Sequence, residues 1–160
     1  MSDEVSYYEN SKEIEKKIWN LLTNAVKDRS SEFRTPTFIC GNDEDLDGRV
    51  VVLRKADQQN NIIQYHSDIR SSKIGKIKKN PNCSVLFYGK EEKIQLRIKA
   101  ICEINYNNEV TKEESEAGYK NFCVIRCNIK SIEWLYLAAK GHRRALIDFN
   151  GSKKFTWLIP

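Results

Sequence analysis

The sequence predicts a mainly β protein of the α+β class: a small antiparallel β-barrel of six or seven strands, with an N-terminal amphipathic helix and short connecting helices. Runs rich in β-branched and aromatic residues recur at short, regular spacing, as strands do. Turn-forming segments such as GNDEDLDG (41–48) separate them, which favours a small barrel over a sandwich or a βαβ sheet. The predicted strands cover 35–40, 49–55, 61–67, 83–89 and 93–105, and further strands follow after residue 121.

Residues 10–29 predict the amphipathic helix. Asn10 followed by Glu13 has the spacing of a capping box at a helix start. We expect this helix to cover one face of the sheet. The apolar positions share a single helical stripe, which consists of Ile14, Ile18, Leu21, Leu22, Ala25 and Val26.

Composition is typical of a soluble globular protein with one domain, residues 1–160. The mean hydropathy is −0.61, and the longest apolar run, residues 134–139, is too short to span a bilayer. The first residues lack the basic start and apolar stretch of a signal peptide, so we predict a cytoplasmic location. A net charge of +5 suits either nucleic acid or a phosphorylated small molecule.

The five cysteines are odd in number, scattered and mostly inside apolar runs. This usage is typical of reduced, buried cysteine in a cytosolic protein. Cys123 and Cys127 would face the same side of a strand, but too far apart for a tight pair of ligands, and no histidine lies nearby in sequence. We therefore predict no metal site.

Residues 65–73, YHSDIRSSK, place several hydrogen-bond donors where a strand passes into a short lysine-rich helix. A helix N-terminus with hydroxyl groups beside it favours an anion. The other interpretation is an ordinary N-cap, in which Ser71 or Ser72 satisfies the first turn and Lys73 is merely solvated. This stretch alone leaves both open.

The order of short motifs along the chain resembles the flavin-binding core of the pyridoxamine 5′-phosphate oxidase family. Each motif is weak, but their order and spacing are specific, and the match covers roughly 35–105 and 130–160. The motifs are Arg49 to Arg54, Tyr65 to Asp68, Arg70 to Lys73, Asn80-Pro81, Gln95 to Ile98, and His142-Arg143-Arg144 before an aromatic tail.

The resemblance implies a split β-barrel homodimer with FMN at the subunit interface. Arg49 and Lys73 would hold the FMN phosphate, and Gln95 would read the polar edge of the flavin ring. Arg144 would reach the flavin from the partner subunit, and Arg54 would lie near the substrate. The implied cofactor residues are Arg49, Val50, Val51, Val52, Leu53, Arg54, His66, Ser67, Ser71, Ser72, Lys73, Gln95, Trp134 and Arg144, and the implied substrate residues are Arg54, Lys140 and His142.

The activity implied by the resemblance is oxidation of pyridoxamine or pyridoxine 5′-phosphate, with hydride transfer to FMN and reoxidation by dioxygen. The chain departs from the family pattern at Ser72, where the oxidases carry a second arginine, and at Ala100, where glycine is common. The oxidases also have a segment rich in Arg, Ser and Trp that holds the substrate phosphate, whereas residues 106–122 here are acidic.

These departures keep a second function open, an FMN-dependent reductase or stress-type flavoprotein with another substrate. A third, weaker alternative is a nucleic-acid-binding module. Its evidence is the lysine-rich helix at 73–79, but no aromatic residues interleave with these lysines as in single-strand binders. As partners, the resemblance implies a second copy of the chain in a homodimer and a small phosphorylated substrate. We expect neither a membrane nor a nucleic acid as partner.

Overall fold

The computed structural model describes residues 10–139 and 141–160, which form three α-helices, one 3₁₀ turn at Glu32–Arg34 and nine strands. The helices are α1 Ser11–Lys27, α2 Ser72–Lys79 and α3 Glu109–Lys112. The strands are β1 Thr37–Asn42, β2 Asp45–Val50, β3 Leu53–Asp57, β4 Ile62–Asp68, β5 Asn82–Gly89, β6 Ile94–Tyr106, β7 Phe122–Tyr136, β8 Arg143–Asp148 and β9 Lys154–Leu158.

Helix α1 confirms the predicted amphipathic helix. The side chain of Asn10 accepts hydrogen bonds from the backbone N–H groups of Lys12 and Glu13, at 3.1 and 3.2 Å, and so caps the first turn. The helix packs against β3. Its buried side chains are Ile14, Ile18, Trp19, Leu22 and Ala25.

The strands form one antiparallel sheet in the order β2-β1-β5-β6-β7-β4-β3, and β8 and β9 extend it from β7. The order ends at β2 on one side and at β3 on the other, so the curved sheet is open between two strands that are neighbours in sequence. The predicted α+β class and antiparallel barrel are confirmed, with nine strands in place of six or seven.

The predicted single strand 49–55 is wrong, because the chain leaves the sheet at Val51 and Val52. Strand β2 pairs with β1 at one edge of the sheet, and β3 pairs with β4 near the other edge. The chain must cross from one edge to the other between them. Val50 is consequently 66 % exposed rather than buried. The predicted turn 41–48 is also shorter than expected, because β2 already begins at Asp45.

The long strand β6 confirms the predicted alternation. Its inward positions, Ile94, Leu96, Ile98, Ala100 and Cys102, are buried in the core, and Arg97 and Lys99 face outward. All five cysteines are buried free thiols, as predicted. None of the helices in the described part of the chain has the length and apolar character that crossing a membrane would require.

Candidate functional site

The turn between β4 and α2 is fixed by Asp68 rather than by a serine cap. Asp68 accepts hydrogen bonds from the backbone N–H of Arg70, at 2.8 Å, and from its guanidinium Nε, at 3.0 Å. The guanidinium hydrogen bond, with the backbone one, lowers the pKa of Asp68 to about 2. Ser71 is the N-cap of α2, but its hydroxyl makes no capping hydrogen bond. The hydroxyl is thus available to another partner.

Arg49, Ser71 and Lys73 meet beside this turn. The Arg49 Nη1 atom lies 3.5 Å from Ser71 Oγ, and the same guanidinium forms an ion pair with Asp47. Burial, with the nearby charge of Arg49, lowers the pKa of Lys73. Two cations and a hydroxyl therefore converge where the first turn of α2 begins.

Lys73 is unusual because it is a buried cation, only 8 % exposed. Its Nζ lies 5.4 Å from the centre of the Tyr65 ring. Within residues 10–139 and 141–160, no carboxylate forms an ion pair with it. Buried charges are normally paired, so this cluster fits an anion with several oxygens, such as a phosphate monoester.

His66 lies next to this turn, enclosed by two carboxylates of the acidic segment that precedes β7. Its Nε2 is 3.1 Å from Glu114 Oε2, and its Nδ1 is 2.8 Å from Glu116 Oε2. Glu116 also faces the guanidinium of Arg54, at 3.7 Å. We call Glu114 and Glu116 the acidic clamp. Both basic residues predicted on this side are thus already partnered by acids.

A cleft of about 450 Å³ opens beside the clamp, with His66, Ser67 and Glu116 among its lining residues. Ser67 pairs with Cys123 across β4 and β7. Ser72 is exposed on the first turn of α2. The cleft therefore lies at the end of β4, just before the turn that carries Ser71 and Lys73.

Gln95 and Arg144 lie together, but on the other face of the sheet from Arg49. The register pairs Gln95 with Leu135 and Leu135 with Arg144, so the three side chains share one row on the outer face. The Arg144 guanidinium pairs with Glu133. Arg49 lies opposite the core residue Phe38 and therefore faces inward.

Trp134, which we predicted as a cofactor residue, presents no side-chain surface to a ligand in this structure. It points inward between Leu96 and Ala145 and has no exposed surface, so it is a core residue. Leu135, one position later, occupies the outward place in the row of Gln95 and Arg144. The strand alternation places only every second residue of β7 on that face.

The remaining predicted residues lie at different places. Val51 and Leu53 are buried, at 8 % and 2 % exposed, and leave only their backbone available, whereas Val52 is half-buried. His142 is exposed in the connection before β8, and Lys140 lies outside the described residues.

Three acidic residues of this region, Asp47, Glu114 and Glu116, were not predicted as site residues. Asp47 lies two residues before Arg49 on one strand face, a spacing that could have suggested the ion pair. The acidic clamp was visible in sequence only as an acidic stretch. Its contact with His66 depends on the chain folding back from β6 to β7.

The fold and the site together define a class: a split antiparallel barrel whose edge carries a buried cationic turn suited to the phosphate of a mononucleotide cofactor. Residues 15–105 match the sequence model of the pyridoxamine 5′-phosphate oxidase FMN-binding domain, and the chain belongs to this family. FMN is the cofactor of that domain. Arg49, Ser71 and Lys73 fit its phosphate.

Solved structures show the same fold. A pyridoxamine 5′-phosphate oxidase-related, FMN-binding protein from Nostoc punctiforme is 14 % identical, with 99 % of each chain covered and a TM-score of 0.73. PhzG from Burkholderia lata, solved with tetrahydrophenazine-1-carboxylic acid, is 15 % identical, with 100 % of this chain and 99 % of that chain covered and a TM-score of 0.76. General stress protein 26 from Bacillus anthracis is 15 % identical, with 88 % and 98 % covered and a TM-score of 0.58. No curated protein sequence matched the chain.

Proposed function

We propose that this chain is an FMN-dependent oxidoreductase whose FMN phosphate binds to Arg49, Ser71 and Lys73. The single observation that carries this proposal is Lys73, a buried cation without an ion-paired carboxylate in the described chain. A bound phosphate would supply the missing negative charge. FMN, when bound, supplies the hydride chemistry, and the chain positions it and excludes water.

We further propose that the flavin ring lies between two copies of the chain. Gln95 and Arg144 face outward, whereas the phosphate cluster lies at the inner side of the sheet edge. A second copy could present its outward row to the cluster of the first. Arg144 would then place a positive charge near the ring, where it favours the reduced, more negative flavin.

A mixing experiment tests the shared site. Lys73→Ala and Arg144→Ala variants should each bind FMN weakly when alone. When equal amounts of the two variants are unfolded, mixed and refolded together, about half of the dimers should contain one chain of each variant. Each such dimer has one intact FMN site and one site that carries both substitutions, so about a quarter of all sites should be intact. Recovery of flavin fluorescence quenching to about that level supports the dimer. No recovery from two folded variants contradicts it.

The acidic clamp bears on the substrate. Glu116 faces both Arg54 and His66, and Glu114 faces His66. A substrate phosphate at this place would meet two carboxylates, and like charges at close range repel. The acidic clamp therefore favours a reductase or stress-type flavoprotein, the second function that the sequence left open, and a substrate that lacks a phosphate.

Oxidation of pyridoxamine or pyridoxine 5′-phosphate is the second candidate, and membership of the family favours it. Mixing the FMN-loaded protein with pyridoxamine 5′-phosphate without oxygen separates the two. If the clamp excludes this substrate, the flavin absorbance stays unchanged, and Glu114→Gln/Glu116→Gln increases the rate of bleaching. Rapid bleaching of the wild-type protein would instead establish the oxidase.

A further inference from the structure

Four of the five cysteines lie on four neighbouring strands of the sheet. Cys40 is on β1, Cys83 on β5, Cys102 on β6 and Cys127 on β7. Cys102 and Cys127 are directly opposite in the register. Cys83 is opposite Ala100, so it lies diagonally across from Cys102. The fifth, Cys123, pairs with Ser67 nearer the phosphate turn.

Three of these thiols form a compact group. The Sγ atom of Cys102 lies 3.0 Å from that of Cys83 and 3.9 Å from that of Cys127. All three sulfur atoms lie within 4.8 Å of one another, and all three residues are buried. With metal–sulfur bonds of about 2.3 Å, three sulfurs in a plane around one ion stand about 4.0 Å apart. The observed sulfur–sulfur distances, from 3.0 Å to at most 4.8 Å, lie on both sides of this value.

We propose that Cys83, Cys102 and Cys127 bind one Cu(I) ion through three thiolates. Thiolate sulfur selects soft cations such as Cu(I). Zn(II) in structural protein sites takes four ligands, and in the described chain no fourth Cys, His, Asp or Glu belongs to this group. Binding exchanges thiol protons for the metal ion, and no electron transfer is needed.

The three-thiol group can be reached from the surface of the protein. A cavity of about 270 Å³ reaches Cys83 from the surface and gives an ion a route to the group. Lys99 and Lys130 line this cavity. Three thiolates with one Cu(I) would carry two net negative charges, and the lysines give the cavity that leads to Cys83 a positive charge.

The site connects three adjacent strands, because each sulfur belongs to a different one of β5, β6 and β7. An ion bound there would cross-link these three central strands of the sheet. We therefore expect Cu(I) to raise the melting temperature of the full-length protein, as any ligand that binds only the folded state does.

The test is anaerobic titration of the full-length protein, free of flavin, with Cu(I) held by a chromogenic chelator. We expect one copper ion per chain in the wild type. Loss of a residue that hydrogen-bonds to a metal ligand weakens metal binding about 10- to 100-fold. Loss of a ligand itself, in Cys102→Ser, should therefore weaken copper binding by about 100-fold or more. The matched control is Cys123→Ser, which removes an equally buried thiol from β7 outside the group and should bind copper as the wild type does.

X-ray absorption of the copper-loaded wild-type protein gives a measurement that does not depend on the variant folding. Three sulfur ligands and no nitrogen or oxygen ligand would support the proposal. Nitrogen or oxygen ligands, equal copper binding by Cys102→Ser and the control, or tighter retention of Zn(II) than of Cu(I) would each overturn it.

Discussion

Replacing Lys73 with methionine should weaken FMN binding and, at the same time, stabilise the protein without FMN. Lys73 is a buried cation whose pKa is lowered by burial and by Arg49. A hydrogen bond to a charged group contributes about 1.5–3 kcal/mol. Since 1.4 kcal/mol corresponds to a factor of ten, we expect about 10- to 100-fold weaker FMN binding. Methionine fills a similar volume and removes the unpaired buried charge.

The pH dependence gives a second readout of the same variant. The pKa of Lys73 lies below its ordinary value of 10.5 in the folded chain, so folding disfavours the charged form. The FMN-free wild-type protein should gain stability as pH rises from the lowered pKa toward 10.5, and Lys73→Met should lack this gain.

Quenching of FMN fluorescence measures the affinity, and thermal unfolding with and without FMN measures the stability. Lys78→Met is the matched control, because Lys78 lies on the same helix and is exposed. If Lys73→Met weakens FMN binding no more than Lys78→Met does, the phosphate is not on this turn and the reasoning fails.

Three further predictions concern the core and the acidic segment. Trp134→Ala should lower the free energy of unfolding by about 3–5 kcal/mol in urea denaturation, because the side chain is fully buried; a loss under 1 kcal/mol would contradict this. Gly89→Ala should cost about 1–3 kcal/mol in the same assay, because a Cβ atom there would lie 2.3 Å from the Phe33 ring; unchanged stability would show that Phe33 moves freely. The pKa of Glu116 is lowered from 4.5, chiefly by a hydrogen bond from Ser115, so its contacts persist at neutral pH and are lost as pH falls through that lowered pKa. Hydrogen exchange in residues 113–121 should then accelerate in acid, and equal acceleration in Glu116→Gln would refute this role.

Local sequence patterns were enough to predict the antiparallel class, the amphipathic helix and the long alternating strand β6. The helix and the strand each show a repeat of apolar residues, every 3.6 residues for α1 and every two residues for β6. This repeat appears in the sequence because one face of each element is buried. The phosphate turn was also visible, because its strand end, hydroxyls and lysine lie within a few consecutive residues. The choice between an ordinary cap and an anion site could not be made from the sequence. Only the folded structure shows that Lys73 is buried and that no carboxylate of the described chain forms an ion pair with it.

Other features could be seen only in the folded chain, because they depend on which distant strands lie next to one another. The strand ends at Val50 because β2 and β3 belong to opposite edges of the sheet. No local sequence pattern predicts this interruption. Trp134 turned out to face the core because the register of β7, not residue type, assigns each side chain to a face. The acidic clamp on His66 and the three-thiol group likewise join residues far apart in sequence. Their chemistry comes from distances between side chains, and a sequence carries those distances only once it is folded.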